Sequence, residues 1–336
     1  MYLKGGYVLL PQPIEDEALC LLQQQGLEVE QAPDPKVQTV APLMRRAKAI
    51  ILRTGITITS ELLEQADDLW TISRTGGGVD NVDLKEATKR GVIVTSSLGV
   101  NITSVVEHCC SLILALFKQL FLIDQEVRKG NFSIRYSNIP SDLRDKYLGI
   151  LGFGRIGSEL AQVCSRAFGM RVLACDRYLP EDKKKEYYSW VSFVSKEKLF
   201  SSSDIVSVHL PLNDETRRIV DKKYLSLMKP HAFIINTSRG GVIVEKDLIW
   251  ALQESIIMGA GLDVFEEEPL KNDNPILKQE NVILTPHTAA LTKECVVRMA
   301  TSAVKRTLDL FSGFVPKNIA NPEVLSHPKW RSLKER

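Results

Sequence analysis

Along the first hundred residues, short apolar or β-branched runs alternate with stretches whose apolar positions fall at helical spacing. Residues 7–10, 49–52, 70–73 and 92–95 are short enough to be strands, and residues 15–25 and 59–65 carry the helical pattern. From Gly6 to about Ser97 this rhythm predicts a parallel α/β layer. Ser60 and Asp83 stand where helices begin and can cap them. Residues 103–120 then read as one long amphipathic helix bridging two domains. Its apolar run, residues 109–117 broken by Ser111, predicts a buried helix, far shorter than the roughly 20 residues a membrane span needs. Residues 128–143 are polar and turn-rich and predict a surface loop.

A second series of apolar runs follows at residues 147–151, 171–175, 205–210, 232–235, 258–262 and 281–284. Helical patterns at residues 158–167, 222–228 and 245–254 separate most of them, which is the βαβ rhythm of a doubly wound parallel sheet. The lysine run of residues 181–186 predicts a solvated loop. Residues 293–311 predict a last helix, followed by a polar tail.

Composition narrows the classes of function. A chain of 336 residues is long enough for two domains, and 44% hydrophobic with 25% charged residues is the balance of a soluble globular protein. The formal charge of +2 comes from Lys and Arg spread along the chain, which excludes a nucleic-acid footprint, and no membrane partner is expected. Cys20, Cys109, Cys110, Cys164, Cys175 and Cys295 form no C-x-x-C pair and lack zinc spacing, so buried reduced thiols and no metal are expected. Residues 1–13 lack the charged start and longer apolar core of a secretion signal, and the expected compartment is the cytoplasm.

The candidate chemistry sits at strand ends. After residues 147–151 come Gly152, Gly154 and Gly157 in the spacing G-x-G-x-x-G. Gly152 would permit the tight turn, Gly154 the close approach of backbone to a pyrophosphate, and Gly157 the packing of helix on strand. The helix N-terminus behind them would aim its N–H groups at the phosphates. Asp176, roughly 20 residues after Gly157, ends the next strand, where a carboxylate accepts from the adenosine ribose hydroxyls and favours NAD over NADP. Arg177 could pair with a 2′-phosphate or cover the adenine face. Gly76, Gly77 and Gly78 put bare amides after another strand, although on its own that segment reads first as a flexible turn. Arg239, the acidic loop of Asp263, Glu266, Glu267 and Glu268, and His287 emerge at later strand ends on the side that carries the glycine loop, and their co-location predicts one site.

These residues closely resemble the D-isomer-specific 2-hydroxyacid dehydrogenase family. The likeness covers essentially the whole chain and rests on five ordered motifs. They are Gly152-x-Gly154-x-x-Gly157; Val208-His209-Leu210-Pro211-Leu212 with Thr216; Asn236-x-x-Arg239-Gly240; Leu262-Asp263-Val264-Phe265-x-x-Glu268-Pro269; and Thr285-Pro286-His287. The resemblance implies a doubly wound Rossmann domain over residues 101–290 and a smaller flavodoxin-like α/β substrate domain made of residues 1–100 and 291–336, with the cleft between them. It implies NAD as cofactor, lined by Gly152, Gly154, Arg155, Ile156, Gly157, Asp176, His209, Pro211, Thr216, Thr237 and Asp263, the last on the nicotinamide carboxamide. It makes His287 the general acid/base, Glu268 its orienting carboxylate in preference to Glu266 and Glu267, and Arg239 the substrate clamp. Gly76, Gly77 and Gly78 become the cradle of the substrate carboxylate, in place of a bare turn.

The reaction so implied is hydride transfer between nicotinamide and C2 of a small anionic 2-hydroxy or 2-oxo acid. Reduction should prefer lower pH, because an imidazolium must give a proton to the forming alkoxide. Arg53 and Arg74 resemble the extra arginines that engage the phosphate in phosphoglycerate dehydrogenases, which places 3-phosphoglycerate ahead of hydroxypyruvate or glyoxylate. The helix at residues 103–120 resembles the family's dimerisation element, so a homodimer is expected, and no C-terminal regulatory domain is expected. Two departures stand out: Asp145 replaces a usual glycine, and Thr288-Ala289-Ala290 lacks the glycine pair or aromatic of several subfamilies. A different class on the same fold is a dinucleotide-sensing, corepressor-like interaction protein. A third reading is an enzyme oxidising phosphite or formate.

Overall fold

The computed structural model describes residues 6–335, so residues 1–5 of the segment read as lacking a secretion signal lie outside the described residues. The chain divides into two compact units, one formed by residues up to Asn101 with those from Leu291 onward, the other by Ile102–Ala290.

In the first unit, strands β1 (Tyr7–Leu10), β2 (Val29–Gln31), β3 (Ala47–Leu52), β4 (Thr71–Arg74) and β5 (Ile93–Thr95) form a parallel sheet in the order β2-β1-β3-β4-β5. That is the flavodoxin-like order, with α1 (Asp16–Gln24), α2 (Val37–Met44), α3 (Ser60–Leu63) and α4 (Leu84–Lys89) as its connections. The apolar runs are strands because β1, β3 and β4 are buried along nearly their whole length. β2 and α2 are absent from the sequence reading for physical reasons. β2 is a three-residue, partly polar edge strand, and α2 carries Pro42 inside it, a residue that argues against a helix. Asp83 caps α4 as expected, but α3 is capped by Thr59, whose Oγ1 accepts from the Leu62 amide, rather than by Ser60.

The second unit opens with α5 (Ile102–Phe117), which is buried along its apolar face. The single long helix expected here is two: Gln119 adopts a left-handed conformation (φ +50°), and α6 (Leu120–Arg128) leaves at 57° to α5. Among the described residues no single helix is long and apolar enough to cross a membrane. The surface segment that follows contains a short helix, α7 (Ile134–Ser137), and Asp145 takes the left-handed φ of +64° that its position demanded.

Next come β6 (Tyr147–Leu151), α8 (Arg155–Phe168), β7 (Arg171–Cys175), α9 (Glu181–Lys185), β8 (Val191–Phe193), α10 (Lys196–Ser202), β9 (Ile205–Val208), α11 (Lys222–Leu225), β10 (Phe233–Asn236), α12 (Glu245–Gln253), β11 (Gly259–Leu262) and β12 (Val282–Leu284). The sheet has seven parallel strands rather than six, in the order β12-β11-β10-β9-β6-β7-β8. The additional one, β8, is a three-residue edge strand. The lysine run is not a loop but the helix α9, held by Lys184–Glu181 and Lys183–Glu186 pairs. Alternate side chains of each central strand enter opposite cores: Ile150, Ile205 and Ile235 face α5 and α8, while Leu151, Val206 and Ile234 face the side of α10, α11 and α12.

Register makes the strand ends level. Leu151 pairs with both Cys175 and Val208, Asn236 with both Val208 and Leu262, and Leu262 with Leu284. The residues that follow (Gly152, Asp176, His209, Thr237, Asp263 and Thr285) therefore emerge along one edge, with the strand order reversing between β6 and β9.

Helix α13 (Lys293–Phe311), capped by Thr292, returns the chain to the first unit. The polar tail is not loose: Trp330 is buried edge-on against Trp70, and Asn321 accepts from the Val94 amide and donates to the Val92 carbonyl. The six cysteines are free thiols, but only Cys109, Cys164 and Cys295 are buried; Cys110 and Cys175 are partly exposed and Cys20 is exposed.

Candidate active site

In the glycine loop at the end of β6, the backbone requires glycine at positions 152 and 157. Gly152 has φ +96°, and a Cβ there would lie 2.8 Å from the His209 carbonyl. A Cβ on Gly157 would lie 2.2 Å from the Gly152 carbonyl, whereas one on Gly154 would meet nothing within 4 Å. Helix α8 starts without a side-chain cap, and the amides of Gly154, Arg155, Ile156 and Gly157 have no hydrogen-bond partner among the described residues. Four bare N–H groups at a helix N-terminus beside open space fit a pyrophosphate.

Asp176 is pinned to this loop. Its Oδ2 accepts from the Phe153 amide at 2.8 Å, and its Oδ1 from the Tyr178 and Leu179 amides. Arg177 is 79% exposed and lies 3.6 Å from Glu215, with its guanidinium 5.7 Å from the Tyr178 ring. The other expected cofactor residues carry structural bonds of their own. His209 sets Nε2 2.7 Å from Ser207 Oγ, and burial pushes its imidazole down to about 4, so it is neutral near pH 7. Buried Thr216 donates to the Pro211 carbonyl and accepts from the Asn213 amide, which closes the loop that exposes Pro211. Thr237 Oγ1 lies 3.2 Å from Cys109 Sγ.

Arg239 is presented by a residue that sequence reasoning quoted but gave no role. Buried Asn236, the last residue of β10, accepts from the Ser238 amide and hydroxyl and donates to the Arg239 carbonyl. The signal was available as an Asx-type turn former at a strand end. Gly240 explains itself: a Cβ there would fall 1.9 Å from the Phe265 carbonyl group, so the Arg239 loop rests directly on the backbone of the acidic loop.

The three glutamates of that loop separate cleanly. Glu266 faces Arg218 at 3.8 Å and Glu267 pairs with Lys271 at 2.8 Å. Glu268 sets Oε2 2.7 Å from His287 Nδ1, with Oε1 accepting from the Phe265 amide. Burial alone would raise the Glu268 carboxyl, but the hydrogen bonds from His287 and Phe265 and the charges of His287 and Arg239 outweigh it and hold it below the ordinary carboxylate range. With Nδ1–H donating to this carboxylate, Nε2 is the nitrogen left to exchange a proton.

His287 itself has φ +55°, a left-handed conformation that a non-glycine residue keeps only when its surroundings impose it. Its amide donates to the Asp263 carbonyl at 2.8 Å. The fully buried Asp263 carboxylate accepts from Thr285 Oγ1 and from the amides of Thr288 and Ala289.

In the first unit the amides of Gly76, Gly77 and Gly78 have no hydrogen-bond partner among the described residues. The two arginines expected to meet a phosphate make bonds within the first unit. Arg53 donates to Glu15 Oε1 at 3.0 Å and to the Pro13 carbonyl. Arg74 is the last residue of β4, 5% exposed, with Nε on the Gly78 carbonyl and Nη1 3.5 Å from the Leu52 carbonyl. It braces the glycine loop from beneath. Among the described residues no group of His, Cys, Asp or Glu side chains is placed to hold a metal ion.

The family model of the D-isomer specific 2-hydroxyacid dehydrogenase NAD binding domain matches residues 110–289. The chain belongs to this family. It is an NAD-dependent oxidoreductase of the 2-hydroxyacid dehydrogenase type. The dehydrogenase is 37% identical over 299 residues to a glyoxylate reductase of Korarchaeum cryptofilum, covering 88% of this chain and 89% of that protein. It is 33% identical to a D-3-phosphoglycerate dehydrogenase of Archaeoglobus fulgidus over 94% of this chain, but spans 59% of that relative's length. Among solved structures, D-lactate dehydrogenase from Aquifex aeolicus complexed with NAD and lactic acid superimposes with a TM-score of 0.82 at 30% identity, covering 95% of this chain and 97% of that one.

Proposed function

We propose that this dehydrogenase acts on a small, unphosphorylated 2-oxo acid of the glyoxylate and hydroxypyruvate class, and that NADH is its preferred partner. The observation that carries the substrate choice is the commitment of Arg74 and Arg53. A guanidinium buried on backbone carbonyls and another paired with a glutamate are poorly placed to neutralise a substrate phosphate. The sequence-based order, with phosphoglycerate first, is thereby reversed. The 37% identity to a glyoxylate reductase supports the same choice.

Bound NADH supplies the hydride that reaches C2 of the oxo acid. In the first unit the amides of Gly76, Gly77 and Gly78 suit an anion such as a substrate carboxylate, as three successive N–H groups do. Arg239 offers a forked donor to the carboxylate and the C2 oxygen and stabilises the charge that grows there. His287 Nε2 gives its proton to the forming alkoxide, and Glu268, ionised on Nδ1, stabilises the imidazolium that precedes the transfer. Oxidation runs the same proton path backwards. Asp176 would face a 2′-phosphate with like charge, and Arg177, leaning on Glu215, offers little to offset it.

A group of exposed apolar residues of the second unit lies on α6, α7 and their flanks: Phe121, Phe132, Tyr136 and Ile139 are 58%, 64%, 71% and 76% exposed. They suit a second copy of the chain, which moves the proposed dimer contact from the largely buried α5 to this segment. Free thiols agree with the cytoplasm as the proposed compartment. The corepressor-like alternative draws no support from relatives named for enzymatic activities.

Steady-state assays of NADH oxidation test the substrate reading. The expected kcat/KM for hydroxypyruvate or glyoxylate exceeds that for phosphohydroxypyruvate by roughly tenfold or more, since Arg53 and Arg74 are committed to Glu15 and to backbone carbonyls. A preference for the phosphorylated acid would contradict it.

A further inference from the structure

A second histidine is built into the wall behind His287. His108, in the middle of α5, has a 21% exposed side chain whose Nε2 lies 3.0 Å from Thr285 Oγ1 and 3.7 Å from Asp263 Oδ1. Thr285 has a single hydroxyl hydrogen and gives it to Asp263 Oδ1 at 2.6 Å. Its oxygen therefore accepts from His108, and this makes Nε2 the protonated ring nitrogen. The chain of bonds runs one way, from imidazole through hydroxyl to carboxylate.

The carboxylate at the end of this chain shapes the turn that carries His287. Asp263 Oδ1 also accepts from the Thr288 amide at 2.8 Å, Oδ2 accepts from the Ala289 amide at 2.9 Å, and the Asp263 carbonyl accepts from the His287 amide. Three consecutive amides are thus tied to one buried residue, and the left-handed backbone of His287 sits at the first of them. If Thr285 could turn its hydroxyl away, Asp263 would lose a donor in a site without solvent and would rotate to recover one, and the amides of Thr288 and Ala289 would have to follow. The Nε2 of His287 would then be misaimed, although Glu268 still held Nδ1.

We infer that His108 is a positioning residue for the proton-transfer histidine, acting through Thr285 and Asp263 to fix the turn at residues 285–289. It touches neither substrate nor reacting atoms. This deepens the catalytic reading above and rests on His287 as the acid/base.

The test uses His108→Phe and His108→Gln in the full chain. Phe keeps the bulk and removes the donor, while the Gln amide can still donate to Thr285. The Phe variant is expected to lose roughly tenfold in kcat for 2-oxo acid reduction, with KM little changed, because misplacement of a reacting group acts on turnover. Amide hydrogen exchange of a peptide spanning residues 285–290 should quicken in parallel, and the Gln variant should recover most of both. Wild-type turnover and exchange in the Phe variant would overturn the inference. Equal impairment of the Phe and Gln variants would overturn it as well, since that is the result of a packing role. A wild-type protein without any 2-oxo acid turnover would instead count against the catalytic reading, and the exchange comparison would still decide the role of His108.

Discussion

Replacing His287 by alanine lowers turnover by roughly 10²–10⁴-fold, the range for a positioned general acid, while NADH affinity stays near the wild-type value. The split follows from where the bonds lie. The amides of Gly154, Arg155, Ile156 and Gly157, which are proposed to meet the pyrophosphate, belong to the start of α8, and the His287 side chain contributes nothing to them. What alanine removes is the Nε2 proton and the partner of Glu268. Kinetics and NADH fluorescence titration together check this, and near-normal turnover would remove His287 from the mechanism. The same pair sets the pH dependence. Glu268 has a lowered pKa, so its contribution is present above the ordinary carboxylate value of 4.5 and is lost only as pH falls through the lower folded-state value. Reduction is therefore expected to hold steady on the acid side down through pH 4.5.

Arg239→Lys is expected to lower kcat/KM by roughly 10²–10³-fold, with KM raised as well as kcat reduced. The positive charge survives in this variant, but the planar fork does not. Asn236 and the contact of Gly240 with the Phe265 carbonyl group fix the backbone of Arg239, so a lysine ammonium starts from the same place yet cannot span two oxygens at once. A KM effect distinguishes this residue from His287, whose loss falls mainly on kcat. Full activity in the lysine variant would mean that charge alone is sufficient.

The central strands were legible because both of their faces are buried. Tyr147–Leu151 and Arg171–Cys175 are continuous apolar runs ending where the structure ends them, and α13 matches its sequence span for the same reason of sustained periodicity. Two of the edge strands were not legible: β2 and β8 are three residues long, and Glu30, Gln31 and Ser192 interrupt in them the apolar run that marks the equally short β5 and β12. The break between α5 and α6 was hidden because Gln119 carries no sequence mark of a left-handed residue. At the site, the motif spacing located Glu268 and His287, yet which glutamate meets the histidine depended on the Lys271 and Arg218 partners that draw Glu267 and Glu266 aside. Arg74 shows the limit most clearly. Its position next to three glycines suggested a substrate cation, and nothing in the sequence says that the side chain folds under the loop onto the Gly78 carbonyl. His108 was passed over because it sits inside an apolar helical run, where its partners lie far along the chain at Thr285 and Asp263.

The proposed reaction delivers a hydride to C2 of a 2-oxo acid and a proton to the oxygen on that carbon. The most direct measurement is the product of hydroxypyruvate reduction with NADH deuterated at the transferring C4 position, analysed by mass spectrometry and chiral chromatography. The expected product is D-glycerate carrying deuterium at C2. Unlabelled glycerate, the L-isomer, or no product with hydroxypyruvate, glyoxylate or any other 2-oxo acid would contradict it.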